Sequence, residues 1–232
     1  MNDAANSAAA APRPIDPRPI DPRPIDMVAA DGTDLEAELA WPSAASAVVV
    51  LSHPHPLYGG DMWNPLIDHL FRALPAAGVA ALRYNFRGTG SSGGRHDEGR
   101  AERLDTEAAF DAAAQLAAEQ ADDDATPAVV SAGWSFGGDV SLAADHDGLA
   151  AWIGIAAPLR IVDPATMSAP NDPRPKLLLV PQHDQFRSPA EAAEITQHWT
   201  NSQLEVIAGG DHFLMGHARA VAEQITSFTA GL

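Results

Sequence analysis

Ala128-Val129-Val130-Ser131-Ala132-Gly133-Trp134-Ser135-Phe136-Gly137-Gly138 is the stretch on which the fold turns. The run 128–132 is short, apolar and rich in Val, which reads as a buried strand. The pattern at 136–144 reads as a helix. A chain that passes from strand to helix in two or three residues must turn sharply. Glycine two before and two after Ser135 removes side chains that would clash in such a turn. Ser135 is then held at a helix N-terminus, where free N–H groups and the helix dipole favour a developing negative charge.

Outward from this turn, strands and helices alternate along nearly the whole chain. Segments 27–30 and 35–41, parted by Asp31-Gly32, read as a hairpin. Further strands are expected at 47–51, 79–86, 151–156, 176–180 and 203–207. Helices are expected at 62–76, 101–120, 189–199 and about 217–230, with an acidic turn at 122–124. This alternation predicts an α/β class domain with a mostly parallel sheet and helices on both faces. Ligands of such sheets bind beyond the carboxyl ends of the strands.

Residues 1–26 stand apart. The unit Pro-Arg-Pro-Ile-Asp occurs three times in a row at 12–26. Proline at that density cannot build a helix or a central strand. A disordered, polyproline-like leader is therefore expected over 1–26, and one domain over 27–232.

Composition narrows the function. The 232 residues suit one domain, and 46% are hydrophobic, enough for a full core. The net charge of −17 argues against nucleic acid and against anionic membrane surfaces as partners. Cysteine is absent, which removes disulfides, thiolate catalysis and Cys-based metal sites. No run of 18 apolar residues is present and no secretory signal is visible, so a cytoplasmic location is expected.

Two strand ends downstream of Ser135 carry groups that could activate it. The strand at 176–180 leads into Pro181-Gln182-His183-Asp184, and the strand at 203–207 into Gly209-Gly210-Asp211-His212-Phe213. A serine hydroxyl is a weak nucleophile until a base takes its proton. Imidazole titrates near neutral pH, so His212 suits that role. A carboxylate holds the imidazole in the required tautomer, and Asp184 is placed for it. Asp163 is the rival acid. Asp211 adjoins His212 and is better suited to capping a turn. His183 should point away from Asp184.

The strand at 47–51 leads into Ser52-His53-Pro54-His55-Pro56-Leu57-Tyr58-Gly59-Gly60. An acyl-transfer site needs backbone N–H donors for the oxyanion. One should be Phe136, directly after the serine. Pro54 and Pro56 have no N–H, which leaves His55, Leu57 and Tyr58. His55 is favoured because the flanking prolines fix its backbone, with Leu57 as runner-up. A metal held by His53 and His55 is disfavoured, because proline kinks turn the two rings apart. No metal or cofactor is expected.

These residues resemble a known group. The stretch from about 47 to 230 is similar to the small α/β-superfamily hydrolases with an HPHP-x-x-GG loop, related in shape to dienelactone hydrolases and cap-less esterases. The matching pieces are the His53–Gly60 loop, Arg83-Tyr84-Asn85-Phe86-Arg87-Gly88-Thr89-Gly90-Ser91, the Ser135 turn, and Gly210-Asp211-His212-Phe213. The resemblance implies the α/β-hydrolase fold and the chain order Ser135, Asp184, His212 for a catalytic triad. The chain departs from the group at Asp61-Met62-Trp63-Asn64 and at Leu214-Met215, which bears on pocket shape. The Arg83–Ser91 segment is expected to be a structural turn.

Members of this fold often insert a helical cap after the strand that follows the nucleophile helix. Here 17 residues separate Pro158 from Lys176, too few for a cap domain. Leu57, Tyr58, Trp63, Trp134, Phe186 and Leu214 should form an apolar wall suited to uncharged acyl groups of small to medium size. The expected activity is cleavage of small-molecule carboxylic esters through an acyl-serine intermediate. A peptidase, amidase or thioesterase on the same triad is the first alternative, and a non-catalytic binding protein on the same scaffold is the second.

Overall fold

The computed structural model describes residues 21–121 and 126–232. Leader residues 1–20 and the acidic turn at 122–124 lie outside the described residues. The expected hairpin is β1 (Arg23–Val28) and β2 (Asp34–Ala40), paired antiparallel with Met27 opposite Leu35. β1 takes in Arg23–Asp26, which the sequence reading assigned to the leader. The leader boundary therefore moves back, at least to Arg23. Pro24 is tolerated because β1 lies at the sheet edge, where a missing N–H breaks no central ladder.

β3 (Ala47–Ser52), β4 (Val79–Tyr84), β5 (Ala128–Trp134), β6 (Leu149–Ile155), β7 (Lys176–His183) and β8 (Ser202–Asp211) complete the sheet. The order is β1-β2-β4-β3-β5-β6-β7-β8. Every neighbouring pair from β4 to β8 is parallel, while β2 pairs antiparallel with β4. α1 (Pro65–Ala73) and α5 (Ala218–Thr229) pack with one core layer. α2 (Glu102–Glu119), α3 (Phe136–Ala143) and α4 (Pro189–Thr196) lie with the other.

The two layers explain why β3 is apolar throughout rather than alternating. Val48 and Val50 enter the α2/α3 layer, and Ala47, Val49 and Leu51 enter the α1/α5 layer. A strand covered on both faces reads as a continuous hydrophobic run. Each fully buried Val or Leu contributes about 1.5–3 kcal/mol, so β3 carries no polar residue before Ser52.

Helix ends follow local chemistry. α1 starts at Pro65 rather than at residue 62, because Asn64 caps it and Pro65 needs no N–H at that position. Met62 N instead donates to Asn85 Oδ1 at 2.9 Å. The Arg83–Ser91 segment is structural. Arg83 meets Glu38 at 2.6 Å and Asp68 at 2.8 Å, and Arg87 meets Asp105 at 2.6 Å and Asp31 at 2.8 Å. Between β6 and β7 only two single-turn 3₁₀ segments occur, Pro164–Thr166 and Ala169–Asn171, and there is no cap domain.

Candidate active site

β5 runs into α3 with one residue between them. Ser135 has φ 54° and ψ −119°, a region a non-glycine residue adopts only when its neighbours force it. They do so here. Ser135 N donates to Ile155 O at 2.9 Å, tying the turn to the end of β6. A Cβ on Gly133 would lie 2.1 Å from Gly137 O, and one on Gly137 would lie 2.4 Å from Ser52 O. At Gly133 the turn closes on its own backbone, and at Gly137 it touches the backbone at the end of β3.

The loops after β7 and β8 bring two further groups to Ser135. Its Oγ lies 2.9 Å from His212 Nε2. His212 Nδ1 lies 2.9 Å from Asp184 Oδ2 and 3.1 Å from Oδ1. Asp184 and His212 are buried. Asp184 Oδ1 also accepts from Phe186 N at 2.7 Å and Arg187 N at 3.1 Å. The carboxylate is thus fixed on one oxygen and turned to the imidazole with the other. Nδ1 donates to it, which leaves Nε2 free to accept from Ser135.

The rivals are placed elsewhere. Asp163 accepts from Ala165 N at 3.0 Å and caps the first 3₁₀ segment. Asp211 accepts from Phe213 N and Leu214 N and caps its own turn. His183 is exposed.

In the loop after β3, Leu57 N donates to His55 Nδ1 at 3.3 Å and Tyr58 N to His55 O at 3.1 Å. Among the described residues, His55 N and Phe136 N make no such bond. The His55 ring lies 4.8 Å from the Phe136 ring, so the two residues stand side by side. A Cβ on Gly60 would fall 2.1 Å from Pro54 O, so the loop closes on itself only with glycine there. His53 lies fully buried beneath it. Its Nε2 accepts from Phe86 N at 3.0 Å, so the proton sits on Nδ1, which donates to Pro54 O at 2.7 Å. Both nitrogens are engaged, and the ring is a pillar rather than a ligand. Burial lowers its pKa to about 4.

The predicted apolar wall is only partly where the sequence suggested. Trp134 and Leu214 are 5% and 2% exposed. Trp134 Nε1 donates to His212 O at 3.2 Å, so it pegs the His212 loop rather than lining a pocket. Trp63 sits with Pro65 and His69 over the start of α1. Leu57, Tyr58 and Phe186 are exposed, and the Phe186 ring is 4.4 Å from the His212 ring. A groove of about 700 Å³ is lined by His55, Gly99, Arg100, Arg103, Arg160 and Val162. It carries guanidinium groups that an uncharged wall would not.

Sequence reasoning also missed Asp139. It follows the two glycines in the first turn of α3 and is fully buried. It accepts from the N–H groups of Leu159 at 2.8 Å, Arg160 at 2.8 Å and Ile161 at 2.7 Å, anchoring the loop after β6. Burial raises its pKa from 3.8 to about 6, against the pull of those bonds. Between pH 6 and 3.8 the folded chain holds a proton on Asp139 that the unfolded chain lacks, so this group favours folding increasingly as pH falls. Asp139→Asn lacks that gain. Relative to wild type, its unfolding free energy should drop by about 2.4 kcal/mol between pH 7 and pH 4, measured by urea denaturation. His53 acts with the opposite sign, losing stability as pH falls from 6.5 to about 4, but it is common to both proteins and cancels. A difference that stays flat with pH would contradict the burial of Asp139.

Known proteins place this geometry in context. An uncharacterized protein RP471 from Rickettsia prowazekii is 28% identical over 202 residues, spanning 83% of this chain and 81% of its own length. An alpha-beta serine hydrolase homologue from Coxiella burnetii superposes with a TM-score of 0.74 at 26% identity, over 88% of this chain and 96% of that one. XC6422 from Xanthomonas campestris, described as a serine hydrolase without a lid, gives a TM-score of 0.75 at 22% identity, over 93% and 95%. Residues 45–228 match a family described as the alpha/beta hydrolase domain. With its cap-less α/β-hydrolase fold, the chain belongs to that family.

Proposed function

We propose that the chain is a serine carboxylic-ester hydrolase acting on small-molecule esters through an acyl-serine intermediate. The observation that carries this reading is the continuous line from Asp184 through His212 to Ser135, with both nitrogen–oxygen separations at 2.9 Å. Ser135 Oγ attacks the ester carbonyl carbon while its proton passes to His212 Nε2. Asp184 keeps the proton on Nδ1 and stabilises the imidazolium. The oxyanion of the tetrahedral intermediate accepts from the N–H groups of Phe136 and His55. Collapse breaks the bond to the alcohol oxygen, which leaves with the proton from Nε2. Water then attacks the acyl carbon, gives its proton to Nε2, and the acid departs as Ser135 regains that proton.

Labelling tests the reading. Wild-type protein exposed to a fluorophosphonate probe should carry the label on Ser135, mapped by peptide mass spectrometry, and should hydrolyse 4-nitrophenyl butyrate. A protein that neither labels nor turns over this ester would refute the proposal. Matched amide and thioester substrates rank the leaving groups.

A further inference from the structure

We infer that the loop 158–163 presents Arg160 to a carboxylate on the substrate, so that the acyl arm taken by the groove beside His55 is that of a dicarboxylic acid half-ester. The inference rests on the ester-hydrolase reading above and names its substrate class.

The position comes first. The Arg160 guanidinium carbon lies 5.5 Å from the centre of the Phe186 ring, and that ring lies 4.4 Å from the His212 ring. The positive charge therefore stands no more than about 10 Å from His212. It also lines the same groove as His55. An acyl arm leaving the carbonyl at Ser135 reaches it with a few methylenes.

The charge is also unspent. The chain has 31 acidic residues against 14 basic ones, so a cation readily finds a partner. Arg100 meets Asp97 and Glu98, Arg103 meets Glu107, and Arg187 meets Glu191. Among the described residues, Arg160 has no carboxylate within ion-pairing distance. None of the nearby acids pairs with it within 4.0 Å: Glu98 meets Arg100, Glu191 is held by Ser188 and faces Arg160 only at longer range, and Asp163 lines the groove without an ion pair among the described residues.

The backbone that carries Arg160 is built at a cost. Ala156 and Leu159 have φ of 46° and 52°, conformations that non-glycine residues rarely adopt. The buried Asp139 carboxylate ties down three successive N–H groups, that of Arg160 among them. From the other side, Arg187 Nε donates to Pro158 O at 2.9 Å. Strain and a buried charge spent on one surface loop are features of a site that must hold a group in place. The group held is a planar guanidinium, whose fork matches a carboxylate in two parallel bonds.

The test compares mono-4-nitrophenyl adipate with 4-nitrophenyl hexanoate, which share chain length and leaving group and differ only in the terminal carboxylate. Wild type should prefer the adipate in kcat/KM by about tenfold or more, and high salt should shrink that ratio. Arg160→Gln should lower the adipate-to-hexanoate ratio by roughly 10- to 100-fold. Arg160→Lys should keep part of it. Because the side chain is exposed, both variants should keep the wild-type Tm. A wild-type ratio near one, or a ratio that Arg160→Gln does not move, overturns the inference and leaves the ester reading standing. Failure of wild type to turn over either ester removes that reading and this inference with it.

Discussion

Asp184→Asn should lower kcat for 4-nitrophenyl butyrate by about 10,000-fold, whereas Asp163→Asn should leave it within about twofold. The size follows from how Asp184 is held. Its Oδ1 accepts from Phe186 N and Arg187 N, and those donors demand an oxygen. In the Asn variant the amide oxygen must stay there, so the NH₂ group falls on the Oδ2 position, 2.9 Å from His212 Nδ1. Two donors then face each other. The imidazole relieves this by moving its proton to Nε2, the nitrogen that should receive the Ser135 proton. The loss is a tautomer effect and not a folding effect, so the variant should unfold at nearly the wild-type temperature. Imidazole ¹⁵N shifts would show the proton on Nε2. A loss of less than about tenfold would mean that Asp184 does not orient His212.

The residues at issue in that experiment were legible in the sequence because the fold converts strand ends into neighbours. Ser135, Asp184 and His212 each follow a strand, and parallel strands deliver their carboxyl ends to one edge of the sheet. Nothing more than strand recognition was needed to bring them together. Direction of a side chain in a loop is another matter. Trp134 and Leu214 adjoin motif residues, yet both are buried, Leu214 on a backbone with φ 54°. No periodicity governs such a residue, so an aromatic or Leu beside a motif reads equally as wall or as peg.

Asp139 and Arg160 were illegible for a different reason. Asp139 meets backbone N–H groups about 20 residues further on, and a backbone donor leaves no mark in the sequence of its partner. That Arg160 has no ion pair among the described residues is likewise visible only after every nearby carboxylate has been assigned. The edge strand β1 hid in the last Pro-Arg-Pro-Ile-Asp unit because proline is excluded from central strands only, and position in the sheet is a property of the finished fold.

Gly137→Ala should be strongly destabilising, costing about 3–5 kcal/mol and lowering Tm by roughly 10 °C or more. The new Cβ would meet Ser52 O at 2.4 Å and His53 O at 2.5 Å, and both are backbone atoms at the end of a central strand. Such atoms cannot swing aside as a side chain can. The first turn of α3 must instead move away from β3. That motion separates Phe136 N from the His55 loop, which are the two proposed oxyanion donors, and disturbs the strained backbone of Ser135. Any folded fraction should therefore also react more slowly with a fluorophosphonate probe. Gly231→Ala is the control, because a Cβ there would lie 3.5 Å from Phe228 O, an ordinary contact. If Gly137→Ala melted within about 3 °C of wild type and labelled at the wild-type rate, the close approach of α3 to β3, and the oxyanion site that depends on it, would have to be abandoned.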